Sequence, residues 1–300
     1  MCGVPAGWVE DRTGVAERRW VSGKESAITL GVQAATEALN DAGVQPGELD
    51  LILNASGTPY QAIPDNAAFL QRELGLGSSG IPSFSIHATC LSFLPALDLA
   101  AEFIASGRAE RILIVSSEVA SPGLNFAEPE SAALMGDAAA AVVVTSGDSV
   151  LEAFRMETYG DTAALSELRG GGTHFHPNSP TLKPEDSCFT MQGKPLLKFV
   201  KSKVPAFLEN LRSGLSSSLG DVDQVVPHQA SNLGLRLLPR YGWPDDQIVK
   251  TLPKTGNCIA ASIPVALYEA VRDGRIQRGS RVLFIGTGAG LSIGGAILKY

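Results

Sequence analysis

The stretch GELDLILNASG (47–57) returns in the second half of the chain as GDVDQVVPHQA (220–230). In both copies a glycine and acidic residues lead into a short apolar run closed by polar residues, the pattern of a buried strand between turns. A second echo follows at a similar interval, AERILIVSSE (109–118) against RGSRVLFIGT (278–287). Two pairs offset by roughly 170 residues point to an internal duplication, with two like halves related by a pseudo-twofold axis.

Outward from these strands, the first half alternates element types. Ser22 and Glu25 form a capping-box pattern ahead of a helix that carries Ile28, Val32, Ala35 and Leu39 on one face and stops at Gly43. Strands are expected at 49–54, 82–88, 111–117 and 138–145, with helices over 65–74 and 90–106. The second half repeats the plan, with helices over 196–215 (through Pro205), 231–241 and 260–273, and strands over 222–227, 281–285 and 291–298. Such alternation predicts an α/β fold, a mostly parallel sheet in each half covered by helices. The halves divide as 1–160 and 161–300, and a polar, glycine-rich stretch over 159–191 is long enough to cover a site.

The composition narrows the function. A chain of 300 residues with 44% hydrophobic and 18% charged residues reads as a soluble α/β enzyme. A net charge of -7 with no basic block argues against a nucleic-acid surface. No apolar run reaches membrane-spanning length, and the first residues lack a secretory layout. Cysteines at 2, 90, 188 and 258 have no CxxC spacing, which suits a reduced, cytoplasmic protein without disulfides or structural zinc.

Three separated residues carry the chemistry. Cys90 in SIHATCLSF opens a predicted helix, where backbone N–H groups favour a thiolate. His228 closes the strand VDQVVP, at the carboxyl edge where α/β sheets place ligands, with Gln229 beside it to order the strand end. Asn257 precedes a helix, and its amide can donate to an enolate oxygen. The duplication carries Cys90 to within a few residues of Asn257, which would set thiol and carboxamide at corresponding helix starts facing each other. Each residue also has a plainer role: packing for the cysteine, structure for the histidine, a helix cap for the asparagine. Cys258 reads as packing. His174 and His176 form an HxH pair with no further ligands at metal spacing, so they read as loop residues and no metal is expected. The GTGAG run (286–290) fails as a dinucleotide loop because no helix follows; it reads as a close-approach turn whose N–H groups can line an oxyanion hole.

These motifs resemble the β-ketoacyl-acyl-carrier-protein synthase III group of the thiolase superfamily. The likeness runs through WVEDRTGVAERR (8–19), the Cys90 segment, MGDAAAAVVV (135–144), FTMQGKPLLK (189–198), VPHQAS (226–231), TGNCIAASIPVAL (255–267) and GTGAGLSIGGAIL (286–298). The resemblance implies a five-layered αβαβα duplication. It also implies a two-stage reaction: acyl transfer from acyl-CoA to Cys90, then decarboxylative Claisen condensation with a malonyl thioester on acyl carrier protein. By resemblance His228 and Asn257 stabilise the enolate, the N–H groups of Cys90 and Ala289 form the oxyanion hole, Trp8 and Arg12 contact coenzyme A, and Ile63 reaches a partner's acyl pocket in a homodimer. No cofactor is implied beyond the coenzyme A of the substrate.

Three departures stand out. The family's opening core strand ahead of WxxxRTG is missing here, HQAS replaces HQAN so that Ser231 stands where a residue often steadies the histidine, and His87 sits within the strand expected before Cys90. These suit a specialised branch, for example of secondary metabolism. Two other functions stay open: an acyltransferase or non-decarboxylative acyl-CoA condensing enzyme, which would need a carboxylate near the thiol, and a catalytically silent partner subunit.

Overall fold

The computed structural model of the chain describes residues 3–216 and 221–300, so Cys2 and Gly220 lie outside the described residues. Among the described residues ten strands form: β1 (Leu51–Asn54), β2 (Ser83–Ser85), β3 (Arg111–Glu118), β4 (Ala138–Thr145), β5 (Val150–Thr158), β6 (Ser166–Glu167), β7 (Thr190–Met191), β8 (Gln224–Pro227), β9 (Arg281–Gly288) and β10 (Ser292–Lys299). One sheet runs β2-β1-β3-β4 and the other β5-β10-β9-β8, while β6 and β7 pair in a small ribbon. The repeat is visible in register. Ile52 of β1 lies opposite Leu113 of β3 in parallel pairing, as Val225 of β8 lies opposite Leu283 of β9. A single parallel bridge from Val225 to Ile248 stands where β2 flanks β1 in the first sheet.

Five layers result, as expected of a thiolase-like fold. Helix Ala27–Ala42 covers the outer face of the first sheet and helix Gly193–Leu211 the outer face of the second. Between the sheets lie helices Phe93–Ala105 and Ser262–Arg272, which contact strands of both. The central layer is largely apolar because most of its surface meets the two sheets: Leu94, Ala96, Ile263 and Ala266 are buried with Ile114 and Val226, and Phe93 meets Phe284 edge-on at 6.3 Å, while Glu102, Tyr268 and Arg272 reach solvent. Burying each such large side chain is worth about 1.5–3 kcal/mol.

Several elements differ from the sequence-based expectations. Strand β5 had no counterpart there. It pairs antiparallel with β10, so the chain changes sheets between Thr145 and Val150, ahead of residue 160. Its alternation is masked because most of its residues are only half-buried, between β10 and the outer helix. The first helix is capped by Ser26, whose Oγ accepts the Thr29 N–H at 3.2 Å, while Ser22 and Glu25 close the preceding turn. The strand before Cys90 ends at Ser85, and His87 is an exposed residue whose Nε2 lies 3.4 Å from the Gly57 carbonyl, not a buried group. Helix 65–74 becomes Asn66–Gln71 plus a wider turn broken by Gly75 at φ 79°, and the 231–241 helix breaks into two short pieces. The stretch 159–191 is folded: it holds the β6–β7 ribbon, and Arg169 packs over Phe175 and reaches Asp186 at 3.3 Å. No helix among the described residues is long and apolar enough to cross a membrane.

Candidate active site

Cys90 sits in a 3-10 turn, Thr89–Leu91, set before helix Phe93–Ala105 and not in its first turn. Thr89 has φ 51°, a strained conformation for a β-branched residue, and Ser92 secures it: its Oγ accepts the Ala88 N–H at 3.0 Å and donates to the Thr89 carbonyl at 2.7 Å. The second half builds the same elbow. Ile259 has φ 48°, and Ser262 Oγ accepts the Cys258 N–H at 3.1 Å. The matching residues show that Cys90 corresponds to Ala260, and that Asn257 corresponds to His87. The expected equivalence of Cys90 and Asn257 is therefore corrected by three residues. His87 and Asn257 do make related contacts: His87 lies 3.4 Å from the Gly57 carbonyl, and Asn257 Nδ2 donates to the Ala230 carbonyl at 3.4 Å.

The GTGAG segment lies against this elbow. A Cβ on Gly286 would stand 2.6 Å from His228 Cβ and 3.0 Å from Leu91, and one on Gly288 would stand 2.7 Å from Thr89 Oγ1. Only glycine lets β9 approach Cys90 and His228 together. Beyond it, the N–H groups of Ala289 and of Cys90 itself both approach the Cys90 thiol as donors, and Thr89 Oγ1 donates to the Ala289 carbonyl at 3.4 Å. Asn257 joins the group through Ala230, whose N–H donates to the His228 carbonyl at 3.0 Å. Its Oδ1 accepts the Ile259 N–H at 2.9 Å, so Asn257 caps the second elbow while Nδ2 faces the histidine loop.

The electrostatics depart from the expected thiolate. Burial pushes the Cys90 thiol up to about 12, the charge of Glu118 adds to that, and the Ala289 and Cys90 N–H groups oppose it. Burial likewise brings His228 down to about 4, so its ring is neutral at neutral pH, and its Nδ1 is buried without a hydrogen-bond partner. The site is a protonated, half-buried thiol beside a neutral imidazole and a carboxamide: donors suited to an anion that develops during reaction.

Of the residues that build the site, Gln229 was expected to order the strand end, while the roles of Asp137, Gly136, Gly256 and Glu118 were missed in the sequence. Gln229, fully buried, donates to the Pro227 and Val249 carbonyls at 2.9 and 3.1 Å and accepts the Thr251 and Leu252 N–H groups at 3.0 and 3.1 Å, which fixes the strand end carrying His228. Asp137 accepts from Val21, Ala120 and Ser121 and ties the 19–21 segment to the loop after β3. A Cβ on Gly136 would meet the Thr255 carbonyl at 2.1 Å and one on Gly256 the Leu134 carbonyl at 2.4 Å, which explains the glycines of MGD and TGN. Glu118 ends β3 as a fully buried carboxylate. Its signal in the sequence was a lone acidic residue ending an apolar strand.

The remaining expected residues lie outside this cluster. Trp8 and Arg12 share helix Trp8–Thr13, and the following Gly14 packs against Asn232 of the histidine loop, where a Cβ would stand 2.8 Å from its side chain. Ile63 is 85% exposed, near exposed Tyr60. Ser231 caps helix Asn232–Leu235 by accepting the Gly234 N–H at 3.1 Å. His174 packs on Phe175, and His176 accepts the Asn178 N–H; among the described residues no group of three His, Cys, Asp or Glu side chains is placed to hold a metal ion.

Comparison with known proteins agrees with this geometry. Family models for 3-oxoacyl-[acyl-carrier-protein] synthase III match residues 84–160 and, for its C-terminal part, 213–300. The chain is 34% identical over 303 residues to the β-ketoacyl-[acyl-carrier-protein] synthase III of Synechocystis, covering 98% of this chain and 89% of that one. It is 32% identical over 296 residues to that of Aquifex aeolicus, covering 98% and 90%. The crystal structure of the Aquifex enzyme superposes with a TM-score of 0.87 over 99% of this chain and 92% of its own. A priming β-ketosynthase of a polyketide pathway is similar at 29% identity with a TM-score of 0.87, over 98% of this chain and 88% of that one. The chain belongs to the β-ketoacyl-[acyl-carrier-protein] synthase III family, acyltransferase-type condensing enzymes with the thiolase fold.

Proposed function

We propose that Cys90 takes an acyl group from acyl-CoA and passes it to a malonyl thioester in a decarboxylative Claisen condensation. The carrying observation is the convergence of the Cys90 and Ala289 N–H groups on the Cys90 thiol, beside a neutral His228 and Asn257. In the first stage the thiol attacks the thioester carbonyl, both N–H groups hold the oxyanion, and coenzyme A leaves with the thiol proton. In the second the malonyl carboxylate leaves as carbon dioxide. The carbanion attacks the acyl-Cys90 carbonyl, and the released sulfur takes up a proton. His228 and Asn257 donate to the thioester oxygen as its enolate forms. A neutral imidazole suits this task, because donation needs no proton lost to solvent. The chemistry calls for no cofactor beyond the thioester itself.

Trp8 and Arg12 are proposed to meet coenzyme A, and Lys194, Lys198 and Lys201 the acidic carrier protein. These exposed lysines share one face of helix Gly193–Leu211, a local basic stripe on a chain whose net charge is -7. Exposed Tyr60, Ile63 and Phe84, the last on edge strand β2, support a homodimer in which Ile63 enters the partner's acyl site. The reading places the enzyme in the cytoplasm, where its thiol stays reduced.

Intact mass spectrometry after exposure to a panel of acyl-CoAs tests the first stage: wild type gains one acyl mass and Cys90→Ala gains none. Release of carbon dioxide from malonyl thioester, coupled to product, tests the second. Equal acylation of Cys90→Ala would sink the mechanism.

A further inference from the structure

Glu118 is a buried carboxylate at the second elbow, near enough for its charge to bear on the Cys90 thiol, for which the reaction above has no use. Its Oε1 accepts the Gly57 N–H at 2.5 Å, its Oε2 accepts the Thr58 N–H and Oγ1 at 2.9 and 2.7 Å, and the Ala260 N–H also donates to it. Thr58 Oγ1 in turn accepts the Val119 N–H at 3.0 Å. The carboxylate thus binds the loop after β1 to the second elbow.

The internal symmetry says what this arrangement is. Ala260 is the counterpart of Cys90, and β3 and β9 align so that Glu118 is the counterpart of Gly288. In one half the elbow N–H of Cys90 approaches the Cys90 thiol, and glycine, with no side chain, stands at position 288. In the other the elbow N–H of Ala260 faces a carboxylate of the chain itself. The two elbows meet at Gly57, where a Cβ would stand 2.8 Å from Ile259 and 3.3 Å from the Thr89 carbonyl. Gly57 therefore separates the two strained residues, one holding Cys90 and the other receiving the Asn257 cap.

We propose that Glu118 is a positioning residue, an internal anion bound in the second elbow as the oxyanion is bound in the first, which locks both elbows around Gly57 at the separation that sets Cys90 against Asn257. Backbone N–H groups converging on a carboxylate form a strong and directional site; burial raises Glu118 to about 7, and these donors work against that shift in favour of its charged form. The charge of Glu118 bears on two thiols, Cys90 of the first elbow and Cys258 of the second, and Asp137 also bears on Cys258. Its catalytic consequence rests on the condensing reading above, while its effect on the thiol does not.

The test uses Glu118→Gln, which replaces an acceptor with a donor facing N–H groups, and Glu118→Asp, which keeps the acceptor. Thermal melts fix the folded fraction, and peptide mapping follows iodoacetamide labelling of Cys90 from about pH 6 to about pH 9. Expected for folded Glu118→Gln is faster labelling above about pH 7, where Glu118, raised by burial to about 7, carries its charge in wild type, with the difference shrinking towards about pH 6. Its condensation kcat should fall by about tenfold or more with the KM for acyl-CoA little changed, and Glu118→Asp should recover part of the loss. Unchanged labelling and kcat would overturn the proposal, as would losses that track the folded fraction alone with Asp no better than Gln. Should Glu118→Gln fail to fold, Thr58→Val removes one donor and is expected to lower kcat about threefold; wild-type kcat there overturns the proposal. If wild type forms no acyl-Cys90, the condensing reading fails, and the labelling comparison still decides the role of Glu118.

Discussion

Replacing Gln229 by methionine keeps the volume of a fully buried side chain and removes the four hydrogen bonds that hold the histidine loop. The Thr251 and Leu252 N–H groups lose their acceptor, and the Pro227 and Val249 carbonyls lose a donor. Each buried group left without a partner costs about 1–3 kcal/mol. At the low end, appropriate for groups that relax together, the loss is ~4 kcal/mol, a large share of the roughly 5–15 kcal/mol that holds a domain together. Unfolding entropy of about 2.1 cal/mol/K per residue over this chain converts that to a fall of about 6 °C in Tm. Catalysis should fall unevenly, because the loop carries His228 and Ala230 and not Cys90. Decarboxylation of malonyl thioester is expected to drop at least about tenfold, a loss of transition-state stabilisation, while iodoacetamide labelling of Cys90 holds. Calorimetry and carbon dioxide release read the two effects. A Tm within about 2 °C of wild type, with full decarboxylation, would refute the claim that this buried amide organises the site.

Three further perturbations follow from the same geometry. Gly288→Ala sets a Cβ 2.7 Å from Thr89 Oγ1 and 3.1 Å from the Ala88 carbonyl, so it should abolish acylation of Cys90 seen by intact mass while the fold persists by circular dichroism. His228 sits at about 4 against an ordinary 6.5, a lowered value, so its contribution to stability is complete above 6.5 and is lost as pH falls towards 4. Denaturant titrations should show that acid loss, about 3 kcal/mol in wild type, missing from His228→Phe. Reversing Lys194, Lys198 and Lys201 to glutamate should raise the KM for malonyl-carrier protein and weaken its salt dependence while leaving the KM for malonyl-CoA unchanged. Equal KM values for the carrier substrate would remove that face from the docking site.

Much of the fold was legible because its signals are local. The apolar runs of β1, β3 and β8 announce themselves, and their spacing exposes the duplication. Strand β5 was not legible: its residues are half-buried against β10 and the outer helix, a setting that leaves no clean alternation. The cap on the first helix was misplaced by four residues since two Ser-containing boxes stand in series, and only packing selects between them.

For the candidate site, the sequence by itself singled out the residues that the proposed chemistry uses: a cysteine at an elbow, a histidine at a strand end, an asparagine before a helix, and glycines between them. Residue type is a local property, and these types at strand-to-helix junctions are few. Tertiary structure alone decided their state. Burial, not helix position, sets the Cys90 thiol at about 12 and His228 at about 4. The true partner of Cys90 across the pseudo-twofold axis is Ala260, and the carboxylate bound there, Glu118, comes from a strand end 28 residues after the nucleophile in the chain. Desolvation and the convergence of N–H groups depend on what distant segments bring to one point, and a linear chain does not record that.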